Sequence, residues 1–309
     1  MSNDSSQSSS RAAGAGRTLT FFRRVRHRIT STRVRNPIVW WRHLGLKPAD
    51  VMLGSYPRSG STWLRFTLFE ILTGQPSGFD SVNAALRGMS DYKDGWPLLP
   101  GGGRFIGTHE SYRPAYRKGV YLVRDVRDVA LSEFAYETSR GIGRAQLDDY
   151  LQDLLRGRKR HGSWQGHVNS WLDSPLARDG NLLVIRYEDL RRDSLAMFMK
   201  VVDFLGVDVS RDRVQAAIAN NSVERMREKE DHLYTQDNYS SVPRRPQKTA
   251  QSNERFVRSG KIGGWQGKLT AEQLRLIEHY TAPALMRLEY PVTTVDSVES
   301  SADMPASLV

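Results

Sequence analysis

Apolar residues follow two rhythms along this chain. Four short runs are strand-like, each with an apolar centre: residues 51–55, 104–108, 119–123 and 182–186. Between and after them, apolar residues return every three or four positions, as Leu64, Leu68, Ile71 and Leu72 do, within 62–73, 126–139, 145–157, 163–173, 191–205, 211–220 and 271–288. The short runs predict strands buried on both faces, and the longer period predicts amphipathic helices. Strands alternating with helices predict an α/β fold with a central parallel sheet flanked by helices. The polar stretch 231–263 has neither period and reads as a long loop, a length that usually serves as a lid. No repeat is apparent, and no apolar run approaches the ~20 residues of a membrane span.

Charge divides the chain further. Of the formal net charge of +11, residues 1–48 carry +9, from ten Lys/Arg and one Asp, which leaves the remainder near neutral. We therefore expect a basic, partly disordered arm over 1–45, a catalytic domain over 46–292 and a flexible tail over 293–309. Residues 1–16 are rich in Ser, Gly and Ala. Residues 17–48 mix arginines with Phe21, Phe22, Ile29, Trp40 and Trp41. This mix is compatible with peripheral contact to an anionic membrane, with a targeting leader, or with a solubilising tail. Nucleic-acid binding is disfavoured, because the excess charge is confined to the arm instead of forming a face of the domain. The absence of cysteine fits a reducing cytoplasm, and no cluster with metal-ligand spacing is present.

The chemistry concentrates in Tyr56-Pro57-Arg58-Ser59-Gly60-Ser61-Thr62-Trp63, which lies between the first strand and the first helix. A strand, a tight turn and a helix start bring free N–H groups, a positive helix end and an arginine to one point. Such a point binds phosphate or sulfate. The turn departs from a Walker A loop: five residues separate Gly54 from Gly60, and Ser61 stands where the lysine should be. Two other segments carry candidate anion ligands. Arg124 ends the strand before a helix that carries Ser132, and Arg258-Ser259-Gly260 lies in the polar stretch. Gly107-Thr108-His109 ends the second strand, and histidine is suited to proton transfer near neutrality.

Together these blocks resemble the sulfotransferases that use 3′-phosphoadenosine-5′-phosphosulfate (PAPS), from about residue 50 to about residue 290. Arg58 stands where that family usually has a lysine. The resemblance implies a three-layer P-loop-like fold and PAPS as donor without a metal. It implies a 5′-phosphosulfate loop of Arg58, Ser59, Gly60, Ser61, Thr62 and Trp63. It further implies a 3′-phosphate site of Arg124, Ser132, Arg258, Ser259 and Gly260, with Tyr187 and Ser222 near the adenine and His109 as base. Three departures stand out: Gly107 replaces a frequent lysine, Ser259 another, and Val223 a phenylalanine. The acceptor is expected to be a carbohydrate, a glycolipid or a small hydroxylated metabolite. Tyr92, Trp96, Tyr112 and Tyr136 are candidates for its walls. The Trp164, His167, Trp171 stripe and the remaining histidines read as packing. The alternative is a P-loop nucleotide-binding protein or kinase, against which the missing Walker lysine and the His109 block both argue.

Overall fold

The structure is a computed structural model that describes residues 42–235 and 260–293. The chain divides into two compact units, 1–45 and 46–309. Of the first, only residues 42–45 are described, so the expected arm lies almost wholly outside the described residues, as does the expected tail beyond residue 293.

Four strands form the sheet: β1 (Val51–Ser55), β2 (Phe105–Thr108), β3 (Gly119–Val123) and β4 (Leu182–Arg186). Their order is β2-β1-β3-β4 and every pairing is parallel. Side chains alternate between the two faces of a strand. Val51, Leu53, Val120, Leu122, Leu183 and Ile185 accordingly pack into one core, and Met52, Ile106, Tyr121 and Val123 into another. The first core is covered by α1 (Ser61–Thr73), α8 (Ser194–Leu205) and α9 (Arg211–Asn220). The second is covered by α3 (Val126–Thr138), α4 (Leu147–Leu155), α5 (Trp164–Leu172) and α11 (Ala271–Arg287). This is the expected three-layer arrangement. Four further helices complete it: α2 (Phe79–Ala85), α6 (Pro175–Arg178), α7 (Tyr187–Arg192) and α10 (Val223–Thr235).

Two expectations need correction. The helix expected over 191–205 is divided in two, because Asp193 leaves the helical region and caps α8 by accepting from the Ala196 N–H at 3.0 Å. The Tyr187-Glu188-Asp189 turn is thereby the first turn of a separate helix. The stretch expected as a loop from residue 231 is helical as far as Thr235 in α10, and residues 236–259 lie outside the described residues. That helix is mostly polar and lacks the apolar stripe that would announce it.

A parallel sheet brings all its strand ends to one edge. Here that edge carries Tyr56–Thr62 after β1, His109 after β2, Arg124 after β3 and Tyr187 after β4. Every strand therefore delivers a candidate site residue to the edge where open α/β sheets bind ligands.

Candidate active site

The turn after β1 is held open by its conformations. Gly60, at the N-cap of α1, has φ 97° and ψ 12°. A Cβ there would lie 2.6 Å from Cδ2 of Tyr187, so the position admits only glycine as the chain now stands. Arg58 also has a positive φ, 67°, which is uncommon for a side-chain-bearing residue. Its guanidinium donates from Nε to the Ser132 hydroxyl at 3.2 Å and lies over the Tyr136 ring. Ser59 is fully buried, and its Oγ has no hydrogen-bond partner among the described residues. Ser61 and Thr62 form the first turn of α1, whose N-terminus has no acidic residue and no side-chain cap. A cradle of free N–H groups with an arginine above it fits a tetrahedral anion.

Arg124 converges on the same place. It donates to the carbonyls of Arg58 at 3.4 Å and Lys261 at 3.0 Å, pairs with Asp128 at 3.4 Å and lies over the Tyr187 ring. The Ser132 hydroxyl, expected with Arg124 at the 3′-phosphate, accepts from Arg58. The near neighbour of Arg124 in sequence, Arg127, is a different object. It is fully buried between Asp125 and Glu278, with Trp265 over its guanidinium, so it ties α3 to α11 and takes no part in the site. Tyr187 donates to the Gly260 carbonyl at 3.0 Å and meets Trp63 edge-on. Trp63 donates from Nε1 to the Asn221 carbonyl at 2.8 Å. Ser222, next to it, caps α10 by accepting from the Arg225 N–H at 3.3 Å. Arg258 and Ser259 lie outside the described residues.

His109 stands across from this group. Its Nδ1 is 2.8 Å from the Ser55 carbonyl oxygen. A carbonyl only accepts, so Nδ1 carries the proton and Nε2 keeps its lone pair. Burial lowers the pKa below the ordinary histidine value; the Ser55 bond raises it, and Arg65, Arg160 and Arg58 lower it further. The residue as a whole is nevertheless exposed to solvent. Both observations hold for a residue lining a cleft, and solvent there limits the size of the shift. The net result is a neutral imidazole with a free nitrogen, the form a general base requires. At Gly107 a Cβ would lie 3.9 Å from Cδ of Arg65, an apolar part of a side chain whose guanidinium donates to the Asn83 side chain and the Leu86 carbonyl.

The segment after His109 is clamped by α5, whose stripe the sequence marked as packing. Trp171 donates to the Glu110 carbonyl at 3.1 Å, and Ser170 accepts from the Tyr112 N–H at 3.1 Å. The Trp171 indole fills a notch left by two glycines: a Cβ on Gly54 would approach it to 2.3 Å, and one on Gly119 to 3.1 Å. His167 is buried within 2.9 Å of the Tyr121 hydroxyl, and burial pushes its pKa down to about 3. Of the expected acceptor walls, Tyr92 is core, Tyr112 packs on Tyr116 and Trp171, and Trp96 leans on Phe69; Tyr136 alone touches a site arginine.

Two residues near the site were not singled out from the sequence. Arg191 lies over the Trp63 ring and close to Gly260. Its spacing of four from Tyr187 on a helix is the signal that would have found it. Asp128 accepts from the Gly263 N–H at 3.1 Å as well as pairing with Arg124.

Comparison with known proteins assigns this arrangement to a class. The family described as "Sulfotransferase domain" matches residues 104–289. Sulfotransferase 2A6 of Mus musculus is 28% identical over 241 residues, covering 74% of this chain and 81% of its own length. The 3-alpha-hydroxysteroid sulfotransferase of Cavia porcellus is 27% identical over 243 residues, covering 74% and 80%. Mouse sulfotransferase SULT7A1, solved in complex with PAP, shares the fold with a TM-score of 0.60 at 22% identity, over 80% of this chain and 87% of its own. Retinol dehydratase in complex with retinol and PAP does so with a TM-score of 0.61 at 21% identity, over 79% and 83%. The chain belongs to the PAPS-dependent sulfotransferase family, and it is an enzyme of the sulfotransferase class.

Among the described residues no group of His, Asp and Glu is arranged to hold a metal ion, and no helix is long and apolar enough to cross a membrane.

Proposed function

We propose that this enzyme moves a sulfuryl group from PAPS to a hydroxyl or amine of a small acceptor, with His109 as general base. The observation that carries the proposal is the juxtaposition of an anion cradle after β1 with an imidazole whose Nδ1 is committed to the Ser55 carbonyl. The 5′-phosphosulfate binds the Arg58–Thr62 turn. Arg124, Ser132 and the segment ending at Gly260 hold the 3′-phosphate, and Tyr187, Trp63 and Ser222 surround the base. The acceptor oxygen attacks sulfur in line with the departing phosphate oxygen. One S–O bond forms, the bridging S–O bond breaks, PAP leaves, and Nε2 of His109 takes the acceptor proton. Arg58 and the loop N–H groups face the charge that develops on the bridging oxygen. The sulfuryl group carries less charge than a phosphoryl group, so the arginine and loop N–H groups meet its charge without a metal. A small hydroxylated acceptor is favoured over a carbohydrate or glycolipid, because the retinol dehydratase structure that shares this fold holds retinol. The enzyme is proposed to work in the cytoplasm.

Two measurements test this. PAP at 100 times its Kd stabilises the protein by about 2.7 kcal/mol, whereas ATP with magnesium produces a smaller shift in Tm; the reverse order refutes the donor assignment. His109→Ala lowers turnover by roughly 10²–10⁴ with PAP affinity nearly intact. Loss of PAP binding in a folded variant shows that the base is misassigned.

A further inference from the structure

Away from the anion cradle, one charged group is enclosed in a way that the chemistry above does not use. Lys229, on α10, is largely buried, its side chain 21% exposed, and it faces Glu70 of α1, which is 7% exposed. Its ammonium has three hydrogens and three acceptors: the Ser77 hydroxyl at 2.7 Å, the Asn221 side-chain carbonyl at 2.8 Å and the Glu70 carboxylate at 3.2 Å. The remaining groups are satisfied around it. Glu70 accepts from the Ser77 hydroxyl at 2.6 Å, the Ser77 N–H at 3.0 Å and the Asn220 amide at 3.0 Å. The Asn221 amide donates to the Ala217 carbonyl at 2.9 Å.

A buried ion pair of this kind is weak evidence for stability, since apolar residues of similar volume commonly serve as well. Its consequence here is geometric. The network joins the last turn of α1, the turn after it and the junction between α9 and α10. That junction reaches the nucleotide side of the molecule. The backbone carbonyl of Asn221 accepts from Trp63, Ser222 follows directly, and Val223 is 3.1 Å from where a Cβ of Gly260 would stand. Asn221 is thus held on one side by Lys229 and on the other presents its carbonyl to Trp63.

We propose that Lys229 is a positioning residue for the nucleotide site, fixing through Asn221 the turn that sets Trp63 and Ser222, without itself touching the ligand. This inference rests on the assignment of the donor site made above.

The test is the affinity for PAP, measured by calorimetry, alongside Tm, for three proteins: wild type, Lys229→Met, and Lys229→Met combined with Glu70→Gln. Removing the lysine alone leaves a buried carboxylate without its counter-charge, so the first variant loses both stability and at least tenfold in PAP affinity. Neutralising Glu70 removes the unpaired charge. The double variant therefore regains most of the lost Tm while its PAP affinity stays at least tenfold below wild type. A Kd within twofold of wild type in Lys229→Met, or affinity recovering together with Tm in the double variant, overturns the proposal. A wild-type protein that does not bind PAP refutes the donor assignment, and the role of Lys229 falls with it.

Discussion

Gly60→Ala isolates the feature on which the anion cradle depends. The added methyl group imposes two costs that the structure separates. The first is conformational: at φ 97° a residue with a Cβ is held in a sparsely populated region, a cost of about 1–3 kcal/mol. The second is steric, because the new Cβ lies 2.6 Å from the Tyr187 ring, far inside van der Waals contact. The ring must move, and its hydrogen bond to the Gly260 carbonyl goes with it, a loss of about 0.5–1.5 kcal/mol. Together these predict a destabilisation of about 2–4 kcal/mol, which for a domain of this size lowers Tm by roughly 5–12 °C. PAP affinity falls at least tenfold, since Tyr187 and the loop N–H groups both shift. Thermal denaturation with and without PAP measures both effects, and a double-mutant cycle with Tyr187→Ala assigns them. Without the ring, only the conformational cost should remain. Equal costs of Gly60→Ala in both backgrounds would refute the steric argument, and unchanged PAP affinity would refute the placement of the cradle.

Further outcomes follow from the same geometry. If His109 is the base, as proposed, the acidic limb of kcat/KM should lie below pH 6.5, because its pKa is lowered; a limb above pH 7 would exclude His109 as the titrating base. His167, held near a pKa of 3, binds a proton only in the unfolded chain as pH falls below about 6.5. Stability therefore declines by up to about 1.4 kcal/mol per pH unit between those values, and His167→Gln should flatten that part of the Tm–pH curve. Arg127→Leu leaves Asp125 and Glu278 buried without their partner; a loss of about 3–5 kcal/mol is expected in denaturant titration, against little change for a surface arginine such as Arg156. The basic stretch 17–48 is proposed to bind anionic vesicles at low salt and to release them at high salt, and a full-length protein indifferent to such vesicles rules this out.

The strands and their ends were legible because buried parallel strands are written as apolar runs, and a candidate site residue follows each run closely. His109, Arg124 and Tyr187 come directly after β2, β3 and β4, whereas Tyr56 after β1 is core and Arg58 stands two residues further on. What could not be read was which of two similar residues does which job. Arg124 and Arg127 stand three apart in a repeated Arg-Asp pattern, yet one faces the cradle and the other is a buried tie to α11. The difference lies in Glu278 and Trp265, over a hundred residues away. The Lys229 network was hidden for a similar reason. Glu70, Ser77, Asn220, Asn221 and Lys229 each look like surface positions, and only the packing of α1 against α9 and α10 encloses them. The helix α2 escaped notice because it is seven residues long and buries only Val82 and Ala85.

The notch beneath the active-site edge has a consequence for how this sequence tolerates change. Gly54 and Gly119 sit on adjacent strands, and one indole occupies the volume that both give up. A larger residue at Gly54 alone meets the Trp171 ring, and a smaller residue at Trp171 alone leaves a void over both glycines. Neither change is neutral by itself, so the three positions are coupled through their packing. Substitutions that survive should be exchanged together across the group. Libraries that vary the active-site loops can then leave this trio fixed without narrowing the chemistry they explore.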